Sequence, residues 1–349
     1  MIDGTRAENV TPRAVVIAGP TASGKTALAC SLGPLLGAEV ISADSQQCYR
    51  GLDAGTAKPD AAERARVPHH LLDVADPEEQ LDAAGFSRLA EQALGDLRAR
   101  GRRALIVGGT GLWLRALVRG LLDAPGADPA FRAAFRERVE KEGLPALYAE
   151  LRATDPDAAA AILPGDRVRI ERALEVFAST GERLSVLQKA HRFSAQKLEV
   201  RVVLLAPPRA LLFARIEART RAMFAPAPGS APQSAPLLKE TLDLQERIAR
   251  IPPAAKALRI MGYGEAAEAL ALGCTQEALL AARKACATRT RHYAKRQEAW
   301  FRKDAPALDA LSSPLVLGAE GPLALEAGLP TPRALETLRD TLTAWYESA

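Results

Sequence analysis

Two hydrophobic periods run along this chain. AVVIAG at 14–19 is a β-branched, uninterrupted apolar run ending on glycine; short runs of this kind are buried strands. EVISAD at 39–44, ALIVGG at 104–109 and VRVVLLA at 200–206 have the same character. Between them Phe86, Leu89, Ala90, Ala93, Leu94 and Leu97 recur at the helical period. The stretch KTALACSLGPLL at 25–36 also has helical content, with Pro34 expected to fray or end it. Strands alternating with helices predict an α/β fold, a parallel sheet with helices on both faces.

The pattern changes near 122–128, a turn-rich connector. Residues 129–192 carry no convincing strand and are predicted to be a helical insertion. Strand character returns at 200–206, so the sheet is expected to resume there. The Pro/Ala/Ser-rich stretch at 225–236 reads as a mobile loop, and 248–302 reads as helical. Beyond 305 only 332–347 has helical character. The predicted organisation is a discontinuous catalytic core (1–127 with 196–304), a helical insertion (128–195), and a C-terminal extension without an assigned role (305–349).

Composition bounds the class. Hydrophobic residues make up 48% and charged residues 25%, ordinary for a globular protein. The opening MIDGTRAENVTP lacks the charged-then-apolar order of a leader. No apolar run approaches the roughly 20 residues that span a bilayer. The four cysteines show no C-x-x-C spacing, so reduced thiols, no zinc site and a cytoplasmic location are expected. Net charge is only +4, but between 283 and 303 there are eight Lys/Arg and one acid.

GPTASGKT at 19–26 fits the phosphate-cradling pattern G-x-x-x-x-G-K-[ST], and it follows a strand and opens a helix. Gly19, Pro20, Thr21, Ala22, Ser23 and Gly24 would curl the backbone so that amides of 22–26 face a phosphate. Lys25 adds a point charge, and the Thr26 hydroxyl is placed for Mg²⁺, partly through water. A chance match in a small-residue turn is disfavoured by that context. An ATPase would also show an apolar strand ending in Asp, yet ALIVGG runs into Thr110. No arginine-rich lid is evident. The acid at a neighbouring strand end is Asp44, suited either to general-base work or to capping a helix. Ser45, Gln46 and Gln47 follow it, and amide side chains suit base edges. Gly108 and Gly109 before Thr110 read equally as a tight turn or as space for a ligand.

TRTRHYAKRQEAWFRK at 288–303 interleaves Arg291, Lys295 and Arg296 with aromatics, which suits phosphates and splayed bases; a solvated helix face with aromatics turned inward reads it as well. Arg167, Arg169 and Arg172 crowd a helix start, against the macrodipole, so an anionic partner is expected.

Together these pieces resemble the tRNA dimethylallyltransferases, which prenylate adenosine 37 beside the anticodon. The resemblance rests on GPTASGKT (19–26), SADSQQCYRGLDAGTAKP (42–59), PHHLLDV (68–74), GGTGLWLRAL (108–117), RALEV (172–176), the Gly-Tyr at 262–263 and TRHYAKRQEAWFR (290–302). It implies a P-loop NTPase-like fold and dimethylallyl diphosphate and tRNA as substrates. The loop 19–26 would hold the diphosphate with Mg²⁺, and Asp44 would contact N6 as base. Asp44, Ser45, Gln46, Gln47, Thr110, Arg132, Val168, Arg169 and Arg172 would meet the tRNA anticodon stem-loop. Val168 stands where the family usually has Gln, and Gly264 where it has Arg or Lys. The family's Gly-Leu-x-x-Glu-Val run is replaced here by the Pro/Ala-rich 225–236. The cysteine spacing lacks the zinc finger of eukaryotic relatives, which implies the bacterial type. A monomer with no membrane partner is expected. The alternatives are a P-loop small-molecule kinase, which leaves the basic segment unexplained, and a non-catalytic RNA-binding module, which does not need both Gly-Lys-Thr and Asp44.

Overall fold

The computed structural model describes residues 12–122, 124–191, 197–247, 250–251, 257–318, 323–326 and 329–348. The opening segment read for a leader lies outside them but for Pro12, as does part of the helical expectation at 248–256. The elements run β1 (Arg13–Ala18), α1 (Lys25–Leu36), β2 (Ala38–Ser42), α2 (Ala61–Arg66), β3 (His69–His70), α3 (Ala83–Ala99), β4 (Arg103–Gly108) and α4 (Gly111–Arg119). Among the described residues five helices follow without a strand: α5 (Pro129–Glu142), α6 (Leu144–Thr154), α7 (Pro156–Ala161), α8 (Arg167–Thr180) and α9 (Leu184–His191). Then come β5 (Glu199–Leu205), α10 (Arg209–Met223), α11 (Pro236–Glu246), α12 (Tyr263–Ala271), α13 (Gln276–Leu308), β6 (Leu315–Leu317), β7 (Leu325–Glu326), β8 (Leu329–Pro330) and α14 (Pro332–Glu347).

The main sheet has the order β3-β2-β4-β1-β5-β6, parallel throughout. Successive residues of a strand point to opposite faces, so each strand feeds two cores. Val16, Ile41, Ile106 and Val202 pack with Phe86, Trp113 and Phe301 on one face. Val15, Ile17, Val40, Leu105 and Val203 pack with Leu28 and Leu32 of α1 on the other. This is why the strands read as continuous apolar runs. Pro34 does sit in the last turn of α1; the helix stops two residues later and Gly37, at φ 62°, caps it.

The chain divides into two compact units, Met1–Val118 with Lys197–Ala349, and Arg119–Gln196. The second unit has its own core of Phe135, Leu147, Leu151, Ile170, Leu174 and Leu184. Asp-Pro pairs start two of its helices: Asp128 accepts from the amides of Ala130 and Phe131, and Asp155 accepts from that of Ala158.

Two features depart from the sequence reading. β3 carries no sequence signal, because two histidines have no apolar period; it pairs in parallel with β2, and His70 Nε2 lies 2.8 Å from Glu39, a buried carboxylate that Arg100 also grips at 2.7 Å. The Arg100 hydrogen bond, ahead of His70, holds the Glu39 carboxyl down at about 2. The region 305–349 is no separate extension. Leu315–Leu317 adds a sixth strand beside β5, and α14 buries Leu338, Leu342 and Trp345 over the α1 face. The signal was weak because a three-residue strand has no period to read. The stretch read as a loop at 225–236 is turn and coil up to Ala235, broken by a 3₁₀ turn (Pro232–Ser234), with Ala235 fully buried and Pro236 starting α11.

Candidate active site

The site lies at the carboxyl edge of the sheet, where open parallel sheets bind ligands. After β1 the backbone curls through positive φ at Gly19 (151°), Ala22 (64°) and Gly24 (98°). A Cβ on Gly19 would lie 2.8 Å from the Leu205 carbonyl oxygen, so that position requires glycine. Within the loop the Ser23 amide donates to Pro20 O, and the Thr21 amide donates to Gln297 Oε1. Ser23 therefore does not offer its amide outward as expected; those of Ala22, Gly24, Lys25 and Thr26 remain for an anion. Lys25 Nζ folds back onto the carbonyls of Gly19 (3.1 Å) and Pro20 (2.8 Å). The Ser23 hydroxyl is buried without a partner.

The loop borders a cavity of about 330 Å³ whose lining includes Thr21, Gly24, Lys25, Thr26, Asp44, Gln47, Arg215 and Arg219. The two arginines were missed as loop contacts. Arg215 Nη1 donates to the carbonyls of Ala22 (3.4 Å) and Ser23 (3.3 Å), and Arg219 Nη2 donates to Thr21 Oγ1 at 2.9 Å. Their i, i+4 spacing on the helix after a strand was the available signal. Burial lowers the Lys25 ammonium to about 8; Asp44 opposes that shift and Arg219 adds to it. Burial also lowers Arg219, with Cys286 and Asp44 pulling the other way.

Asp44 begins a turn, not a helix. Its Oδ1 accepts from the Gln46 amide at 2.9 Å. Thr110 Oγ1 accepts from the Ser45 amide at 3.1 Å and lies 3.2 Å from the Ser45 hydroxyl, tying the ends of β2 and β4 together. Tyr293 of α13 joins this group: burial first, then the Asp44 charge, raise its phenol, while a hydrogen bond to Thr110 opposes them. Gln47 faces the cavity but also donates to the carbonyl of Ala57 at 3.0 Å, which fixes the adjoining wall.

The glycines at the end of β4 and just after it lie close against protein. A Cβ at Gly108 would come 2.2 Å from Ala43 O, at Gly109 2.2 Å from Gln297 Nε2, and at Gly111 2.3 Å from the Trp300 ring. Gly109 is thereby packed against protein, whereas Gly108 also lines the cavity, so its backbone borders the space open to a ligand. The Gly-Tyr pair is structural too. Tyr263 donates to Glu240 Oε2 at 2.7 Å, and Glu240 also accepts the amides of Asp53, Ala54 and Gly55.

On α13, Thr290, Ala294, Gln297 and Phe301 form the buried face. Arg291 reaches Glu217 at 2.9 Å, Lys295 and Arg296 are exposed, and the Arg296 guanidinium lies 5.7 Å from the centre of the Tyr293 ring. The helix is thus apolar inward and basic outward, as the reading of a solvated face with an inward apolar side expects. In the second unit, Arg132 and Arg172 both grip Glu175, whose side chain is 1% exposed. Part of the anionic partner expected for this cluster is thus internal. Arg169 (70% exposed, beside Asp166) and Val168 (72%) face solvent.

A family model described as "IPP transferase" matches residues 47–304, and one described as "Isopentenyl transferase" matches 12–79. A tRNA dimethylallyltransferase of Anaeromyxobacter sp. (strain Fw109-5) is 49% identical over 85% of this chain and 96% of its own length. One from Myxococcus xanthus is 43% identical over 84% and 90%. Among solved structures, the full-length tRNA isopentenylpyrophosphate transferase of Bacillus halodurans aligns with a TM-score of 0.62, 30% identity and 97% coverage of both chains. A eukaryotic dimethylallyltransferase acting on tRNA aligns with a TM-score of 0.72 and 26% identity, covering 88% of this chain and 74% of that one.

Proposed function

This chain belongs to the tRNA dimethylallyltransferase family, and we propose that loop 19–26 holds the diphosphate of dimethylallyl diphosphate while Asp44 takes the proton from the attacking adenosine N6. The enzyme is a prenyltransferase that modifies tRNA. In the reaction the allylic C1–O bond breaks and the diphosphate leaves with the electron pair. A C1–N6 bond forms, and the N6 proton passes to Asp44.

The observation that carries the assignment is a cavity joining the phosphate loop, Lys25, Arg215 and Arg219 to the strand-end carboxylate Asp44; the other acid of its lining, Glu63, accepts the Asp60 amide in the cap of α2. N6 is a poor nucleophile because its lone pair is delocalised into the ring, so stabilising the leaving group matters most. Preorganised donors around developing charge are commonly the largest catalytic contribution. Here the donors are the amides of Ala22, Gly24, Lys25 and Thr26 and the three side-chain cations. Lys25 near 8 is largely protonated at neutral pH, and an arriving diphosphate would draw it off the carbonyls of Gly19 and Pro20. No step consumes ATP, so a strand-end Asp after β4 is not needed.

The site suits Mg²⁺. Thr26 lines the cavity beside the phosphate loop, and Mg²⁺ usually takes one or two protein ligands beside phosphate oxygens and waters. When bound, the ion would offset charge on the leaving diphosphate. Ser45, Gln46, Gln47 and Thr110 would orient the adenine next to Asp44. The exposed Lys295 and Arg296, the half-buried Arg291, and in the second unit Val168 and Arg169, with the outer faces of Arg132 and Arg172 that Glu175 holds from within, would meet the RNA. Drawing the base out of the anticodon-loop stack costs a few kcal/mol, which these contacts offset. Among the described residues no helix is long and apolar enough to cross a membrane; a cytoplasmic monomer is part of the proposal.

Incubation with an anticodon stem-loop RNA, Mg²⁺ and either labelled dimethylallyl diphosphate or labelled ATP tests the reading. Prenyl label on N6 supports it; phosphate transfer from ATP would replace it with a kinase. Asp44→Asn is expected to lower turnover by at least ~10²-fold with RNA affinity retained. Near-normal turnover of that variant would remove Asp44 as the base.

A further inference from the structure

Gln297 belongs to the basic helix α13, yet its side chain is turned away from solvent and is 6% exposed. Its amide bridges two loops of the site. Oε1 accepts the Thr21 amide at 2.8 Å, inside the phosphate loop, and Nε2 donates to Gly109 O at 2.9 Å, just past β4. The chemistry of the two partners fixes the orientation of the amide, since a backbone N–H only donates and a carbonyl oxygen only accepts. The fit is close, because a Cβ on Gly109 would sit 2.2 Å from Nε2. Thr21 in turn receives Arg219 Nη2 on its hydroxyl. One amide thus sets the spacing of the diphosphate cradle from the strand end that carries Thr110, and Thr110 holds the turn of Asp44 and Ser45.

We propose that Gln297 is a positioning residue for prenyl transfer: through Thr21 and Gly109 it holds the phosphate loop in register with the β4 strand end, so that leaving group and nucleophile are aligned. It touches neither substrate in this scheme. The inference rests on the assignment of loop 19–26 as the diphosphate cradle. Displacement of a reacting group by about 1 Å can cost on the order of 10²-fold in rate, so loss of the bridge is read in the diphosphate parameters.

Gln297→Ala removes both bonds. Gln297→Glu keeps an acceptor for Thr21 but sets a carboxylate oxygen against Gly109 O. Each is to be compared with the parent for prenyl transfer, for Mg²⁺-dependent binding of inorganic diphosphate by calorimetry, and for stem-loop RNA affinity, all well below the melting temperature. The expected result is a KM for dimethylallyl diphosphate and a Kd for inorganic diphosphate raised ~10-fold or more, kcat lowered, and RNA affinity within about twofold. Gln297→Asn, too short to span both partners, should behave like the Ala variant. Diphosphate parameters unchanged in all three variants, or weakened only in step with lost thermal stability, would overturn the proposal. Failure of the parent to transfer prenyl would strike the functional reading alone, because diphosphate binding reports on Gln297 separately.

Discussion

Burial beside Arg219 lowers the Lys25 ammonium to about 8, against about 10.4 for an exposed lysine. The sign of the consequence follows by linkage. Below pH 8 both native and unfolded chains are protonated and the burial penalty is fully felt. Between 8 and about 10.4 the unfolded chain binds more protons, so this group makes stability rise with pH. Lys25→Met should therefore melt higher than the parent at pH 7, and the gain should shrink by pH 10. The same change should cut prenyl transfer at least ~10²-fold, because the charge serves the leaving diphosphate. Thermal denaturation at the two pH values checks this; a Met variant less stable than the parent at pH 7 would contradict it. Ala22 at φ 64° and the unpartnered Ser23 hydroxyl mark the same loop as one where local rules give way to ligand geometry.

At the scale of elements, α8 separates two kinds of arginine that look alike in DRVRIER. Arg172 joins Arg132 on the buried Glu175, whereas Arg169 lies out in solvent near Asp166. Arg172→Ala is expected to destabilise the second unit by about 1.5–3 kcal/mol, the usual range for a hydrogen bond to a charged group. Arg169→Ala should leave stability within about 0.5 kcal/mol and instead weaken RNA binding with a shallower salt dependence. Urea denaturation and RNA titration at two or more salt concentrations separate them; equal stability losses would refute the distinction. Helix α13 divides in the same way around its circumference. Its exposed Lys295 and Arg296 were legible as charge, but the inward role of Gln297 was not, because nothing along the sequence says that residues 21 and 109 meet there.

For the whole molecule, the carboxyl-terminal region completes the sheet. Arg201 of β5 and Asp309 form a buried ion pair, and Asp309 also accepts the amides of Val202 and Leu311. Asp309→Ala strands the Arg201 charge in the interior, for an expected loss of about 3–5 kcal/mol, measured as a shift of the denaturation midpoint. An unchanged midpoint would show that the pair is not a tie between β5 and the end of α13. The residues from 315 on then supply β6 and the α14 cover over α1.

The sequence by itself determined the parallel strands, the helical character of 129–192, the phosphate loop and Asp44 at a strand end. Each of these is written locally: continuous β-branched runs, Asp-Pro helix starts, a fixed glycine–lysine spacing. The tertiary structure alone decided which charges are free and which are structural. Arg215 and Arg219 reach the loop from nearly two hundred residues away in sequence, and Glu175 and Asp309 occupy arginines that look available. It also decided that Gly108, Gly109 and Gly111 pack closely on Ala43, Gln297 and Trp300, while Gly108 also borders the cavity. The reason is physical: periodicity and turn chemistry act over a few residues, whereas packing and the pairing of buried polar groups depend on which distant segments the fold brings within hydrogen-bonding distance.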